Sequence, residues 1–198
     1  MKDKFLRTFA QIARPGADKL LIWLEDETDF FTAPASTKYH GSFPGGLLDH
    51  SLNVYARMVE IAERDLLPHG LPGALDQEDV ETMTILALLH DVCKVNTYTL
   101  EPGRRKVEGT RNQWEDCEIY AAHDLLPLGH GEKSLYLIQK HMDLHDDEAM
   151  AIRWHMGAYD YAARGGSYIL TNAMKATPWT WRLQEADMCA TWIDEREG

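Results

Sequence analysis

The sequence predicts an all-α helical bundle carrying one short β-hairpin or loop insertion around residues 98–112. Three observations lead there. Most segments repeat apolar residues at three- and four-residue spacing, the period of a helix with one buried face. Those segments are separated by Pro and Gly breaks and by Asp or Thr caps. A single stretch, Tyr98 to Thr110, has alternating character instead, around Glu101-Pro102-Gly103-Arg104. The 198 residues suit one domain, read as an N-terminal helical extension (1–39) and a metal-binding core (40–195).

In chain order, Lys4 to Ala13 has helical spacing and is broken at Pro15-Gly16. Asp18 can cap Lys19 to Glu25, with Leu20, Leu21, Trp23 and Leu24 inward. Thr28 to Lys38 reads as an irregular link. Pro44-Gly45-Gly46 is a turn that opens a helix from Leu47 to Asp65, whose buried stripe holds Leu47, His50 or Ser51, Val54, Met58 and Ile61. Pro68 to Gly73 is expected to be a loop. Asp76 caps the next helix, and Glu78, Asp79 and Glu81 suit its positive N-terminal end.

That helix ends in Ile85-Leu86-Ala87-Leu88-Leu89-His90-Asp91-Val92-Cys93-Lys94, the stretch around which the chain is organised. An apolar run of good helix formers should be buried. Two polar groups at its end need partners, because an unpaired buried charge costs several kcal/mol. The ordinary alternative for an isolated His-Asp dipeptide is a capped helix end at the surface. After the alternating stretch, Glu115 to Leu126 is expected to be a helix stopped by Pro127. Further helices are expected from Gly129-His130 to Met142, from an Asp146 or Asp147 cap through Trp154-His155, over Ser167–Ala176, and from Thr177-Pro178 through Asp187 to Trp192.

Composition excludes several classes. The net charge of −12 argues against a grip on duplex nucleic acid through phosphate contacts. It leaves room for a small phosphorylated substrate, because bound divalent metals can neutralise clustered carboxylates. No apolar run approaches the roughly 18 residues that span a membrane. Met1 to Phe5 begins with charge and no apolar run follows, so no secretory signal is expected. The cysteines Cys93, Cys117 and Cys189 are odd in number and far apart, which gives no disulfide framework and sets a cytoplasmic, reducing environment as the expectation.

His50, His90, Asp91, His130, His155 and Asp187 all sit on apolar faces or at tight turns near helix ends. Each alone is weak, since a single His on an apolar face is usually a hydrogen-bonded core residue. Together they are spaced over five expected helices, as a bundle requires if each helix sends one ligand to a shared centre. Imidazole and carboxylate without thiolate suit one or two divalent transition ions (Mn, Fe, Ni, Co or Zn), with Mg also admissible. Such centres hydrolyse phosphate esters through an activated water. Arg104, Arg105, Lys106 and Arg111 form either an ordinary solvated turn or a basic flap over an anionic substrate, with Trp114 nearby. His123-Asp124 is a second His-Asp pair without a following lysine. His40 could reach the pocket rim, and His69, His141 and His145 read as surface residues.

His50 in Pro-Gly-Gly-Leu-Leu-Asp-His, His90-Asp91 followed by Val-Cys-Lys94, and Asp187 in Glu-Ala-Asp resemble the HD-domain superfamily of metal-dependent phosphohydrolases, whose defining order is H…HD…D. The resemblance covers roughly residues 40–195. It implies that His50, His90, Asp91 and Asp187 bind a first metal and that Asp91 can bridge to a second. His130 and His155 stand where some subfamilies add histidines. It further implies catalytic roles for Asp91 and Lys94, with Lys94 pointing at the substrate phosphate or the nucleophile. Read from the residues alone, Arg104, Arg105, Arg111 and Trp114 are the further candidate substrate contacts, and Glu132 or Asp49 could assist. The substrate implied is a nucleotide or similar small phosphate ester. The Pro-Gly-Gly-Leu-Leu-x-His element also resembles YhaM-type 3′–5′ exoribonucleases, which carry an OB-like region ahead of the HD domain, whereas the residues before position 40 here read helical. A 3′–5′ exonuclease on short single-stranded RNA or DNA, a non-catalytic nucleotide-sensing module and a two-iron oxygenase are the alternatives.

Overall fold

The computed structural model describes residues 1–67 and 75–196. The loop expected at Pro68–Gly73 lies outside the described residues. The helices are α1 (Lys2–Phe9), α2 (Ala17–Asp26), α3 (Gly46–Leu66), α4 (Gln77–Leu89), α5 (His130–Gln139), α6 (Asp146–Trp154), α7 (Tyr161–Arg164), α8 (Ile169–Ala176) and α9 (Trp179–Cys189). Two antiparallel strands, β1 (Tyr98–Lys106) and β2 (Trp114–Ala122), form a hairpin between α4 and α5. The chain is therefore mostly helical with a hairpin insertion. Among the described residues, no helix is long and apolar enough to cross a membrane.

α4 is the axis of the bundle. Every residue from Thr82 to Leu89 is buried, so this helix has no solvent face over its second half. Its start is pinned by the Asp76 side chain, which accepts from the Asp79 N–H at 2.8 Å. α3 packs against α4 and α9, and α6 packs against α9 and α5. The expected stripe of α3 is inward: Leu47, His50, Ser51, Val54, Met58 and Ile61 are all buried. α3 can begin where it does because Gly46 lies on the Gly41 carbonyl, which a Cβ would meet at 1.9 Å.

α1 ends at Phe9, short of the expected Ala13, and its aromatic face joins the common core. Phe5 meets Phe30 at 5.1 Å between ring centres and Phe31 at 5.3 Å. In the link after α1, Arg14 ties three elements together. Its guanidinium donates to Glu81 of α4 at 3.1 Å and to the buried Glu148 of α6 at 2.9 Å. Glu148 also accepts from Thr82 at 3.2 Å and from the His145 N–H at 2.8 Å. The residue before α6 is therefore His145, not Asp146 or Asp147, because Glu148 reaches back to it.

The largest departure from the sequence-based expectation is residues 115–126. They were expected to be helical, but Trp114–Ala122 is a strand. β1 and β2 pair over nine residues, with Leu100 opposite Tyr120, Arg104 opposite Asp116 and Arg105 opposite Glu115. Cross-strand pairs of this kind outweigh a helical spacing of apolar residues. Glu101-Pro102-Gly103-Arg104 lies inside β1, and the chain reverses between Val107 and Gln113 instead. Pro102 is tolerated because a two-stranded ribbon has only edge strands. Gly103 is covered by Ile119, which a Cβ there would meet at 2.6 Å.

Candidate metal centre

His50, His90, Asp91, His130, His155 and Asp187 converge at the C-terminal end of α4. His50 comes from the first turns of α3 and His90-Asp91 from the end of α4. His130 opens α5, His155 closes α6, and Asp187 sits in α9. His50, His90, Asp91 and His155 are almost wholly buried.

The rings are oriented from behind. His90 Nδ1 donates to the Ala87 carbonyl at 3.0 Å, and His155 Nδ1 donates to the Ile152 carbonyl at 2.7 Å. His50 Nδ1 faces the Glu195 carboxylate at 3.0 Å. Carbonyls and carboxylates only accept, so each Nδ1 carries a hydrogen; neutral His90 and His155 then turn a bare Nε2 lone pair inward, and His50 does so once its Nε2 proton is released. His90 Nε2 and His50 Nε2 stand 3.3 Å apart. Two lone pairs at that distance repel unless a proton or a cation lies between them. His155 Nε2 is buried without a hydrogen-bond partner.

Asp91 lies at the middle. Its Oδ2 is 3.6 Å from both His50 Nε2 and His90 Nε2, while its Oδ1 is 2.6 Å from His130 Nε2 and 3.5 Å from His155 Nε2. One carboxylate thus turns each of its oxygens to a different pair of imidazoles. Asp187 Oδ1 lies 3.2 Å from His50 Nε2. Donor atoms about 2.0–2.2 Å from a tetrahedral or octahedral ion are themselves roughly 3.0–3.6 Å apart. The imidazole and carboxylate set and its spacing fit a divalent transition ion, and the cluster could hold one.

The electrostatics point the same way. Burial opposes charge on His50, but the Asp187 and Glu195 carboxylates override it and raise His50 to about 9. Burial likewise opposes charge on His130, and Cys93 and Asp91 raise it to about 10. His90 is driven down to about 4 by burial, with His155 and His50 acting in the same direction. Burial works against ionised Asp91, yet Lys94 and the surrounding histidines hold it well below the usual carboxylate range. Positive charge is therefore favoured at both ends of Asp91. Lys94 follows in a 3-10 turn (Val92–Lys94) and places Nζ 2.6 Å from Asp91 Oδ2.

The other sequence candidates lie elsewhere. Arg104 and Arg105 are exposed on β1 and pair across the hairpin with Asp116 and Glu115. They stand about 20 Å along the strand from Tyr98 at its root. Arg111 is exposed near the reversal, and Trp114 is exposed at the start of β2. The structure does not bring these four to the cluster, because beyond its root the hairpin packs chiefly on itself. Glu132 pairs with Arg153. His123 pairs with Glu101, and Asp124 pairs with the buried Lys133 at 2.7 Å. His141 stacks on Trp23. His40 is the exception: it reaches the rim, as the sequence allowed, with its ring centre 5.0 Å from that of His50, and it groups with His50 and Glu195.

Two neighbours were not anticipated from the sequence. Glu195 follows a π-helical turn (Ala190–Asp194), which breaks the register that spacing arguments assume. Cys93 sits two residues after Asp91, and its position beside the motif was the available signal.

Fold and cluster together describe a helical protein with a buried His/Asp centre able to take a metal. The HD domain family model matches residues 47–191, and the chain belongs to the HD-domain family, a superfamily of metal-dependent phosphohydrolases. The comparisons with curated proteins and with solved structures gave no match.

Proposed function

We propose that this chain is a metal-dependent phosphohydrolase that cleaves a phosphoester of a nucleotide or a similar small substrate. Residues 40–195 would be its metal-binding core and residues 1–39 a helical extension. The reading is carried by Asp91, whose two oxygens face two imidazole pairs, His50 with His90 and His130 with His155. His50, His90, Asp91 and Asp187 would hold one ion, and Asp91, His130 and His155 a second. Divalent ions bound there would lower the pKa of a water and offset charge on phosphoryl oxygens.

The chain's own groups supply the rest. Glu195 and the Ala87 and Ile152 carbonyls hold the rings in one tautomer and one orientation. Lys94 keeps its charge, because the Asp91 carboxylate beside it outweighs the cost of burial. An ammonium at the edge of the cluster positions a phosphate oxygen and balances charge that develops on it. Tyr98, half-buried at the root of the hairpin beside Lys94, offers a ring for a base to stack on. A cavity of about 260 Å³ lies at the opposite end of α4, but Asp76, Glu78, Asp79, Asp146 and Asp147 line it and would repel an anionic substrate. On the hairpin, Arg104 pairs with Asp116 and Arg105 with Glu115, which offsets charge that a nucleic-acid strand would otherwise meet there.

The test is metal analysis of the purified chain followed by a screen of nucleotides, cyclic dinucleotides and short RNA for release of phosphate or mononucleotide. Metal-dependent release that a His90→Ala/Asp91→Ala double variant loses supports the proposal. Wild-type activity in that variant contradicts it.

A further inference from the structure

The end of the cluster that faces α5 holds a donor of a different kind. Cys93 Sγ, an Asp91 carboxylate oxygen and a His130 ring nitrogen all lie within 4.8 Å of one another. Local structure fixes the thiol there. After His90 the chain tightens into the 3-10 turn Val92–Lys94, and the Cys93 N–H donates to Ser134 Oγ at 3.0 Å. Ser134 is one helical turn beyond His130 on α5, so this bond sets the thiol against the face that presents the imidazole. Both Cys93 and Ser134 are buried.

A second observation points to a ligand at this end. His155 Nε2 approaches Asp91 Oδ1 to 3.5 Å, is buried, and has no hydrogen-bond partner. Its Nδ1 hydrogen is committed to the Ile152 carbonyl, so the Nε2 lone pair is the group aimed at Asp91. Carboxylate oxygen, the His130 nitrogen and a thiol sulfur therefore gather at one end of Asp91, and His155 Nε2, which also lies within reach of His90 and Asp187, turns to the same carboxylate oxygen. The other end, with His50, His90 and Asp187, offers only nitrogen and oxygen.

We propose that Cys93 is a metal ligand, and that the cation beside Asp91 Oδ1 is bound through Cys93 Sγ together with His130, with His155 Nε2 at hand on the same carboxylate oxygen. This rests on the metal-centre reading above and deepens it. A sulfur donor selects Zn, Co or Fe over Mg and Mn, whereas the all-nitrogen-and-oxygen end does not discriminate in that way. The two cation positions then differ in softness, and the thiol gives up its proton when it ligates.

The test loads the metal-stripped full chain with Co²⁺ and records thiolate-to-cobalt charge-transfer absorption in the near ultraviolet. Cys117 on β2 and Cys189 on α9 provide the control, since neither belongs to a group that could hold an ion among the described residues. The band is expected in the wild type and in a Cys117→Ser/Cys189→Ser variant, and is expected to vanish in Cys93→Ser and Cys93→Ala. Far-ultraviolet circular dichroism checks that the two Cys93 variants fold. Cobalt affinity at this position is expected to fall about tenfold or more on loss of Cys93, with manganese affinity much less affected. Cobalt binding without the band, or a band that survives in a folded Cys93→Ser chain, overturns the ligand role and leaves the metal-centre reading intact. A wild-type chain that binds no cobalt overturns both.

Discussion

Removing the Glu195 carboxylate should weaken metal binding without touching a direct ligand. Glu195 Oε1 lies 3.0 Å from His50 Nδ1 and also accepts from Asn53 Nδ2 at 3.0 Å, so the carboxylate is itself held in place. In Glu195→Ala the His50 ring loses the acceptor that fixes its tautomer, and a buried N–H is left without a partner. Loss of such an outer carboxylate typically costs 10–100-fold in metal affinity, which is about 1.4–2.8 kcal/mol. The stranded donor adds a loss of folding stability of about 1–3 kcal/mol in the metal-free chain. Glu195→Gln keeps an acceptor oxygen and should lose less on both counts. Competition with a chromophoric chelator reads the affinity, and urea denaturation reads the stability. Unchanged affinity in a folded Glu195→Ala chain would refute the reasoning, as would a Gln variant weaker than the Ala variant.

Three further outcomes follow from the same geometry. Lys94→Met should lower phosphoester turnover by about 10²–10³ while metal content is unchanged or higher, and steady-state kinetics with metal analysis on one preparation separates the two effects. Gly131→Ala should force α5 from α6, because a Cβ would stand 2.2 Å from the Arg153 carbonyl oxygen. It should cost about 1–3 kcal/mol in denaturation and loosen the His130–His155 end of the centre, whereas wild-type stability would show that the helices yield freely. Metal affinity should rise with pH, because His50 is raised from 6.5 to about 9 and must be neutral to ligate. In the metal-free chain the same shift stabilises the fold fully below about pH 6.5, and that contribution is lost as pH rises through about 9. Chelator titrations across that window should show the climb in affinity, and a flat profile would contradict the protonated His50.

The helices that carry the cluster were legible because each ligand sits on a clear apolar stripe or at a strong break. His50 falls on the buried face of α3, and His90-Asp91 ends an apolar run that leaves no face for solvent. The hairpin was half legible. Its first strand alternates, but Trp114–Ala122 contains helix formers and apolar residues at spacings that also suit a helix, and only pairing with β1 decides the matter. Glu195 was hidden for a related reason. The π-helical turn before it shifts the side chain off the 3.6-residue register, so spacing from Asp187 could not place it beside His50. The arginines near the hairpin tip left both a solvated turn and a flap open because sequence shows charge but not the cross-strand partners of Arg104 and Arg105.

On the proposed reading, one carboxylate, Asp91, joins two cation positions. Equilibrium dialysis of the folded chain against Co²⁺, followed by metal analysis, measures this. Two ions per chain are expected in the wild type, one in His130→Ala/His155→Ala, and none held tightly in Asp91→Ala. A folded Asp91→Ala chain that still retains two ions would contradict it.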